Sequence, residues 1–125
     1  MVDEDGSERI ELLGRDYWLI TSTPLPETTA ADIEAHVAAH LSWALALEDR
    51  GLLFLSGPVV DGPGARPGSG ITVLRAADAD EARSIAQQDP FVVAGLRTFV
   101  VHCWRLNEGS VSVRMRLGRS QLDWD

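Results

Sequence analysis

Between Thr28 and Arg50 the chain carries one long run of helical period, "TTAADIEAHVAAHLSWALALEDR", set between two short apolar runs that end in proline. The first, "YWLITST" from Tyr17 to Thr23, is closed by Pro24 and Pro26, which have no amide hydrogen to give to a ladder. The second, "LLFLSGPVV", stops at Gly57 and Pro58. A strand, a long helix and a strand in that order exclude both all-helical and all-β folds. Thr28 or Thr29 is placed to cap the helix, Asp32 and Glu34 sit near its positive end, and Gly51 follows Arg50 as a stop. Ile33, Val37, Leu41, Ala44 and Leu47 recur at steps of three and four, so one stripe faces a core. At about 100° per residue, His40 falls near the middle of that stripe, with His36 and Trp43 on its edge.

The remaining elements repeat the alternation. "DGPGARPGSG" is a flexible loop, and "ITVLRA" a third strand. The loop is rich in glycine but lacks the Gly-Lys-Ser/Thr ending and following helix of a phosphate cradle. "DADEARSIAQQ" is a second helix with Asp78 as cap and Glu81 three residues on. "PFVVAGL" makes a short third helix or turn, and "RTFVVHCWRLNEG" a long strand bounded by Asn107 and Gly109. "SVSVRMRL" alternates as a final edge strand, and "IELL" adds a short strand or turn before the first. Residues 1–8 read as a disordered acidic tail, and 9–125 as a single domain with its core at about 16–109.

This is the split β-α-β-β-α-β plan: an α+β, ferredoxin-like antiparallel sheet with both helices on one face and an extra C-terminal strand. The strands are too apolar for a sheet with a wet second face. "FVVHCW" places Phe99, Val101 and Cys103 on one side and Val100, His102 and Trp104 on the other. A second copy packed sheet to sheet would cover that face, so a homodimer is expected.

With 11 basic and 19 acidic residues the formal net charge is -8, and no Lys/Arg cluster offers the basic face that nucleic acid requires. In "RMRLGR" the arginines alternate with apolar residues, as on the wet face of a strand. No secretory signal and no membrane span of about 18 apolar residues is present, and one cysteine makes no internal disulfide. The expectation is a cytoplasmic protein bound to neither nucleic acid nor membrane.

Several residues bear chemistry, each with an ordinary structural reading beside it. His40 on an apolar stripe is commonly a core histidine satisfied by its neighbours, yet imidazole is also the general acid or base of choice at neutral pH. His36 and His40 are spaced i and i+4, which suits a metal, but "HVAAH" lacks a glutamate and a third ligand, so no metal is expected. Asp89 before Pro90 is a helix N-cap, which alone would account for "DPF". A carboxylate has two oxygens, however, and one could accept backbone amides while the other orients His40, keeping Asp89 anionic. Cys103 reads as a buried inert thiol. Ser56 stands outside a nucleophile turn but could line a cleft. His102 belongs to a dimer core or pocket wall, and the tryptophans and Phe91 offer apolar walls for a planar ligand.

Taken jointly, "AHLSWALALEDRGLLFLSGPV", "ITVLRAADADEARSIAQQDPFVVAGL" and "VHCWRLNEG" resemble the YCII-related (YciI-like) proteins over about residues 16–109. That resemblance implies a dimeric α+β barrel and a His/Asp pair lining a cleft, here His40 in "AHL" and Asp89 in "DPF". It also implies cofactor-free chemistry of the lyase or isomerase kind on a small organic molecule, since elimination from a chlorinated hydroxylated aromatic occurs within the group. The expected contacts to such a molecule are His36, Trp43, Ser56, Phe91 and His102. The alternative is a non-catalytic small-molecule-binding or accessory domain.

Overall fold

The structure is a computed structural model that describes residues 4–6 and 10–124. Most of the segment expected as an acidic tail therefore lies outside the described residues, and Glu4 to Gly6 form a turn. The chain divides into two compact units, one spanning Asp16–Arg105 and the other formed by Met1–Arg15 with Leu106–Asp125.

In the larger unit the elements run β1 (Arg15–Pro24), α1 (Ala30–Asp49), β2 (Leu53–Pro58), β3 (Gly70–Leu74), α2 (Ala79–Gln87), α3 (Pro90–Val93) and β4 (Arg97–Leu106). The four strands make one antiparallel sheet in the order β2-β3-β1-β4, the ferredoxin-like arrangement. Trp18 lies opposite Leu74 and Ile20 opposite Thr72, while β2 carries a bulge between Leu53 and Leu55. Two residues then face one on β3, so Leu53 and Leu55 point to different sides of the sheet.

Thr29 is the N-cap of α1. Its hydroxyl accepts the Asp32 amide, while the Asp32 carboxylate accepts the Thr29 amide, which closes a capping box. Thr28 has another task, donating its hydroxyl to the Leu96 carbonyl at 2.7 Å and so tying the start of α1 to the turn before β4. At the other end Gly51 takes φ of +72°. Its amide reaches Glu48 O and the next amide, of Leu52, reaches Leu47 O, the pair of bonds that ends a helix in a Schellman motif. Asp78 caps α2 by accepting the Glu81 amide at 2.8 Å.

The core lies between the sheet and the helices. Ile20 and Leu74 from the strands meet Leu47 of α1 and Ala82, Ile85 and Ala86 of α2, with Trp18, Leu53, Phe99 and Val101 packed around them. Strand alternation sends the intervening residues to the other face: Leu55 and Val73, Val100, His102 and Trp104. Leu55 is 49% exposed, Val100 54% and Trp104 37%, whereas Val73 on the inner strand β3 is buried, so this second face is apolar and open along its two edge strands.

Two expectations change here. Cys103 is exposed rather than buried, because β4 is an edge strand and its contribution to the core ends at Val101. The extra C-terminal strand exists as β5 (Val113–Arg116), but it pairs with β6 (Gln121–Trp124) in a two-stranded sheet of its own. A tight turn at Leu117–Arg119 and a left-handed Ser120, with φ of 48°, fold the chain back on itself. Alternation shows which residues share a face and leaves open which strand they pair with. The segment "IELL" forms no strand, although Leu13 donates its amide to Asn107 O.

Candidate active site

Asp89 caps α3, with Pro90 at the first helical position. Its Oδ1 accepts the Phe91 amide at 3.1 Å and faces His40 Nδ1 at 2.9 Å, a pair separated by 49 positions in sequence. Its Oδ2 is taken by the Arg97 guanidinium, with Nε at 3.1 Å and Nη2 at 2.6 Å. The capping amide and the histidine thus share one oxygen, rather than taking one oxygen each, and the second oxygen goes to a cation from β4.

Three elements converge on this carboxylate for local reasons. The Asp-Pro pair starts α3 and fixes Asp89; the stripe of α1 brings His40 inward; and the first residue of β4 points to the same side as Phe99 and Val101. The remaining Arg97 hydrogen bond is from Nη1 to the carbonyl of Gly68, at 3.1 Å. Gly68 has φ of +103°, and a Cβ there would stand 2.8 Å from Ile33 Cδ1. Only glycine brings that carbonyl to the arginine while leaving Ile33 in place. The loop holding Gly68 is pinned in turn by Arg66, whose guanidinium donates to Leu25 O, Pro26 O and Thr28 O.

Burial pushes the Asp89 carboxyl upward and is the largest single influence on it. The hydrogen bond from His40, then the charge and hydrogen bonds of Arg97, together outweigh burial and hold the group below its ordinary value. Asp89 is therefore ionised and can only accept. His40 Nδ1 must be the donor, which places a ring hydrogen on Nδ1 and leaves Nε2 as the ring nitrogen that the carboxylate does not engage. The His40 ring stacks on Phe91 at 4.5 Å between centroids, and Trp43 lies tilted to it at 5.6 Å. The Arg97 Cζ lies 4.7 Å from the Phe91 ring centre.

Beside His40 lies a cavity of about 340 Å³. Ile33, Val37, Leu41 and Ala44 of α1 form one wall, and Ser56 to Pro58 with Gly68 to Thr72 form another. Phe91 and Arg97 complete the lining. The His40 side chain is 19% exposed against 4% for Asp89, so the histidine is the reachable member of the pair. Of the residues expected to touch a ligand, Ser56 and Phe91 line this cavity. His36 does not; it is half-buried one turn away, with Nδ1 2.9 Å from Asp32 O. Trp43 contacts the histidine and the core but not the cavity, and His102 is exposed on the open face of the sheet. Among the described residues, no group of three or more His, Cys, Asp or Glu is arranged to hold a metal. No helix there is long and apolar enough to cross a membrane.

Arg97 is the site residue that sequence patterning does not reveal. An arginine opening an apolar strand reads as a wet strand end, and the one signal available was its position eight residues after Asp89.

The YCII-related domain model matches residues 17–105, which is most of the chain. This is a YCII-related protein. Among solved structures, the YCII-related chain is similar to 5-chloro-2-hydroxyhydroquinone dehydrochlorinase from Burkholderia phenoliruptrix AC1100 in complex with 2,5-dihydroxybenzoquinone. The two are 26% identical with a TM-score of 0.58, over 70% of this chain and 92% of the other. No curated protein matches the sequence.

Proposed function

We propose that this YCII-related protein is a cofactor-independent enzyme of the lyase or isomerase kind, acting on a small cyclic or aromatic molecule through His40 and Asp89. The observation that carries this reading is the Asp89-bound His40, its Nδ1 at 2.9 Å from the carboxylate, on the wall of a cavity of about 340 Å³. A buried anion holds the tautomer while the exposed side of the ring meets the ligand, as the acid does in a catalytic triad. His40 Nε2 then takes a proton from a hydroxyl or ring carbon of the substrate. In an elimination, the electron pair left behind forms the new double bond and expels halide, so no oxidant or metal is needed for the balance. Apolar walls from α1 and Phe91 suit a planar ring. The solved relative supports this reading, since its name describes dehydrochlorination of a chlorinated hydroxylated ring.

In the same reading the working unit is a cytoplasmic homodimer. The open apolar face bearing Leu55, Val100 and Trp104 is covered by the same face of a second copy.

The test is chloride release from 5-chloro-2-hydroxyhydroquinone and from a panel of halogenated phenols, comparing wild type with His40→Ala of equal fold. Release by wild type and loss in the variant are expected. Equal release would remove His40 from the mechanism. Ligand binding with no turnover across the panel would favour a non-catalytic binding module.

A further inference from the structure

Beyond Asp89, the group that decides what His40 can do is Arg97. The residue is 7% exposed, and it meets the site through three hydrogen bonds of 3.1 Å or less, two to Asp89 Oδ2 and one to Gly68 O. It is the one permanent cation among the residues lining the cavity. Asp89 at the cap of α3 is hydrogen-bonded to His40, and His36 lies one turn back on α1. The walls from β2, β3 and the loop between them contribute Ser56, Ser69 and Thr72, none of which carries charge.

A carboxylate this buried, left with an imidazole and one amide, lacks a full countercharge. It gains one by taking up a proton, and the pair offers two places for it. On the carboxyl, the proton makes Asp89 a donor to Nδ1 and drives the ring hydrogen to Nε2. On the imidazole, it makes both ring nitrogens N–H. Either result removes the lone pair from Nε2.

We propose that Arg97 is a positioning residue whose guanidinium neutralises Asp89 and so keeps His40 Nε2 free to accept a proton. The proposal rests on the reading of His40 as the proton-transferring group. It goes further in assigning the unprotonated Nε2 to a residue of β4 held in place by the Gly68 carbonyl. Arg97 needs no contact with the substrate for this.

The experiment is a ¹⁵N spectrum of the histidine side chains at pH 7 in the full chain, for wild type, Arg97→Lys and Arg97→Met. Wild type is expected to show Nε2 of His40 as a nitrogen without hydrogen and Nδ1 as N–H. Arg97→Lys retains that pattern because the charge is kept, whereas Arg97→Met converts Nε2 to N–H. A folded Arg97→Met with the wild-type pattern would overturn the proposal, since an ordinary structural ion pair would leave Nε2 unchanged. Should Arg97→Met fail to fold, the wild-type spectrum still decides, because an Nε2–H there is incompatible with the assignment. These spectra need no substrate. Absence of turnover would therefore sink the proposed reaction and leave the role of Arg97 standing, and the converse holds equally.

Discussion

His40 Nδ1 lies 2.9 Å from Asp89 Oδ1 across 49 positions of sequence, and the histidine is the more exposed of the two. The relation divides the labour: the carboxylate is saturated by its neighbours, and the imidazole alone presents an unused atom. Proton transfer is therefore expected at His40, with Asp89 orienting it.

Replacement of His40 by alanine is expected to lower kcat/KM by about 10²–10⁴, the usual contribution of general acid–base catalysis. Asp89 keeps the Phe91 amide and both Arg97 bonds in this variant, so the fold should survive. Steady-state rates beside a thermal melt of each protein check this, and a fall in rate matched by a collapse of Tm would point to stability instead.

Asp89 also predicts how stability depends on pH. Its carboxyl titrates lower in the folded chain than the ordinary value, so the folded state binds its proton less readily than the unfolded one. The contribution is present above an unfolded value of about 3.9 and is lost as pH falls through the depressed folded value. Wild type should thus lose Tm steeply below about pH 4. Asp89→Asn should be less stable near neutrality, because it leaves Arg97 buried without its partner, and less sensitive to acid. Melts at a series of pH values test both, and parallel curves for the two proteins would contradict the linkage.

Gly68→Ala is expected to destabilise the fold by about 1–3 kcal/mol, the usual range for overpacking or a strained backbone. The new Cβ would meet Ile33 Cδ1 at 2.8 Å and Pro24 Cβ at 3.3 Å, at a φ of +103° that L side chains rarely adopt. Urea denaturation measures the loss. A change below about 0.5 kcal/mol, the range of neutral surface substitutions, would mean that Ile33 yields without cost.

For the proposed homodimer, light scattering at micromolar concentration should return twice the chain mass. Val100→Asp, on the open sheet face and 54% exposed, should halve it without unfolding the protein. A monomeric wild type would remove the assembly from the functional reading.

The order of apolar runs was enough to determine the β-α-β-β-α-β plan, because period and punctuation are local properties of the chain. Asp78 and Asp89 were legible as caps, and the cap of α1 as Thr28 or Thr29, for the same reason: the groups that Thr29, Asp78 and Asp89 satisfy lie two or three residues away. The placement of His40 on the apolar stripe of α1 followed from its spacing, although only Ile33, Ala44 and Leu47 of that stripe are buried while Val37 and Leu41 are exposed beside the cavity, and the family resemblance paired it with Asp89. Tertiary structure decided the rest. Strand partners for the C-terminal segment depend on a left-handed Ser120 that no pattern announces. Cys103 is exposed because its strand is an edge, a fact of sheet order. The second oxygen of Asp89 went to Arg97, since a guanidinium from β4, a carbonyl from Gly68 and a carboxylate from the cap of α3 converge only when the sheet closes under the helices. Sequence supplies donors and acceptors one element at a time; which of them meet is fixed by packing, and packing joins residues far apart in the chain.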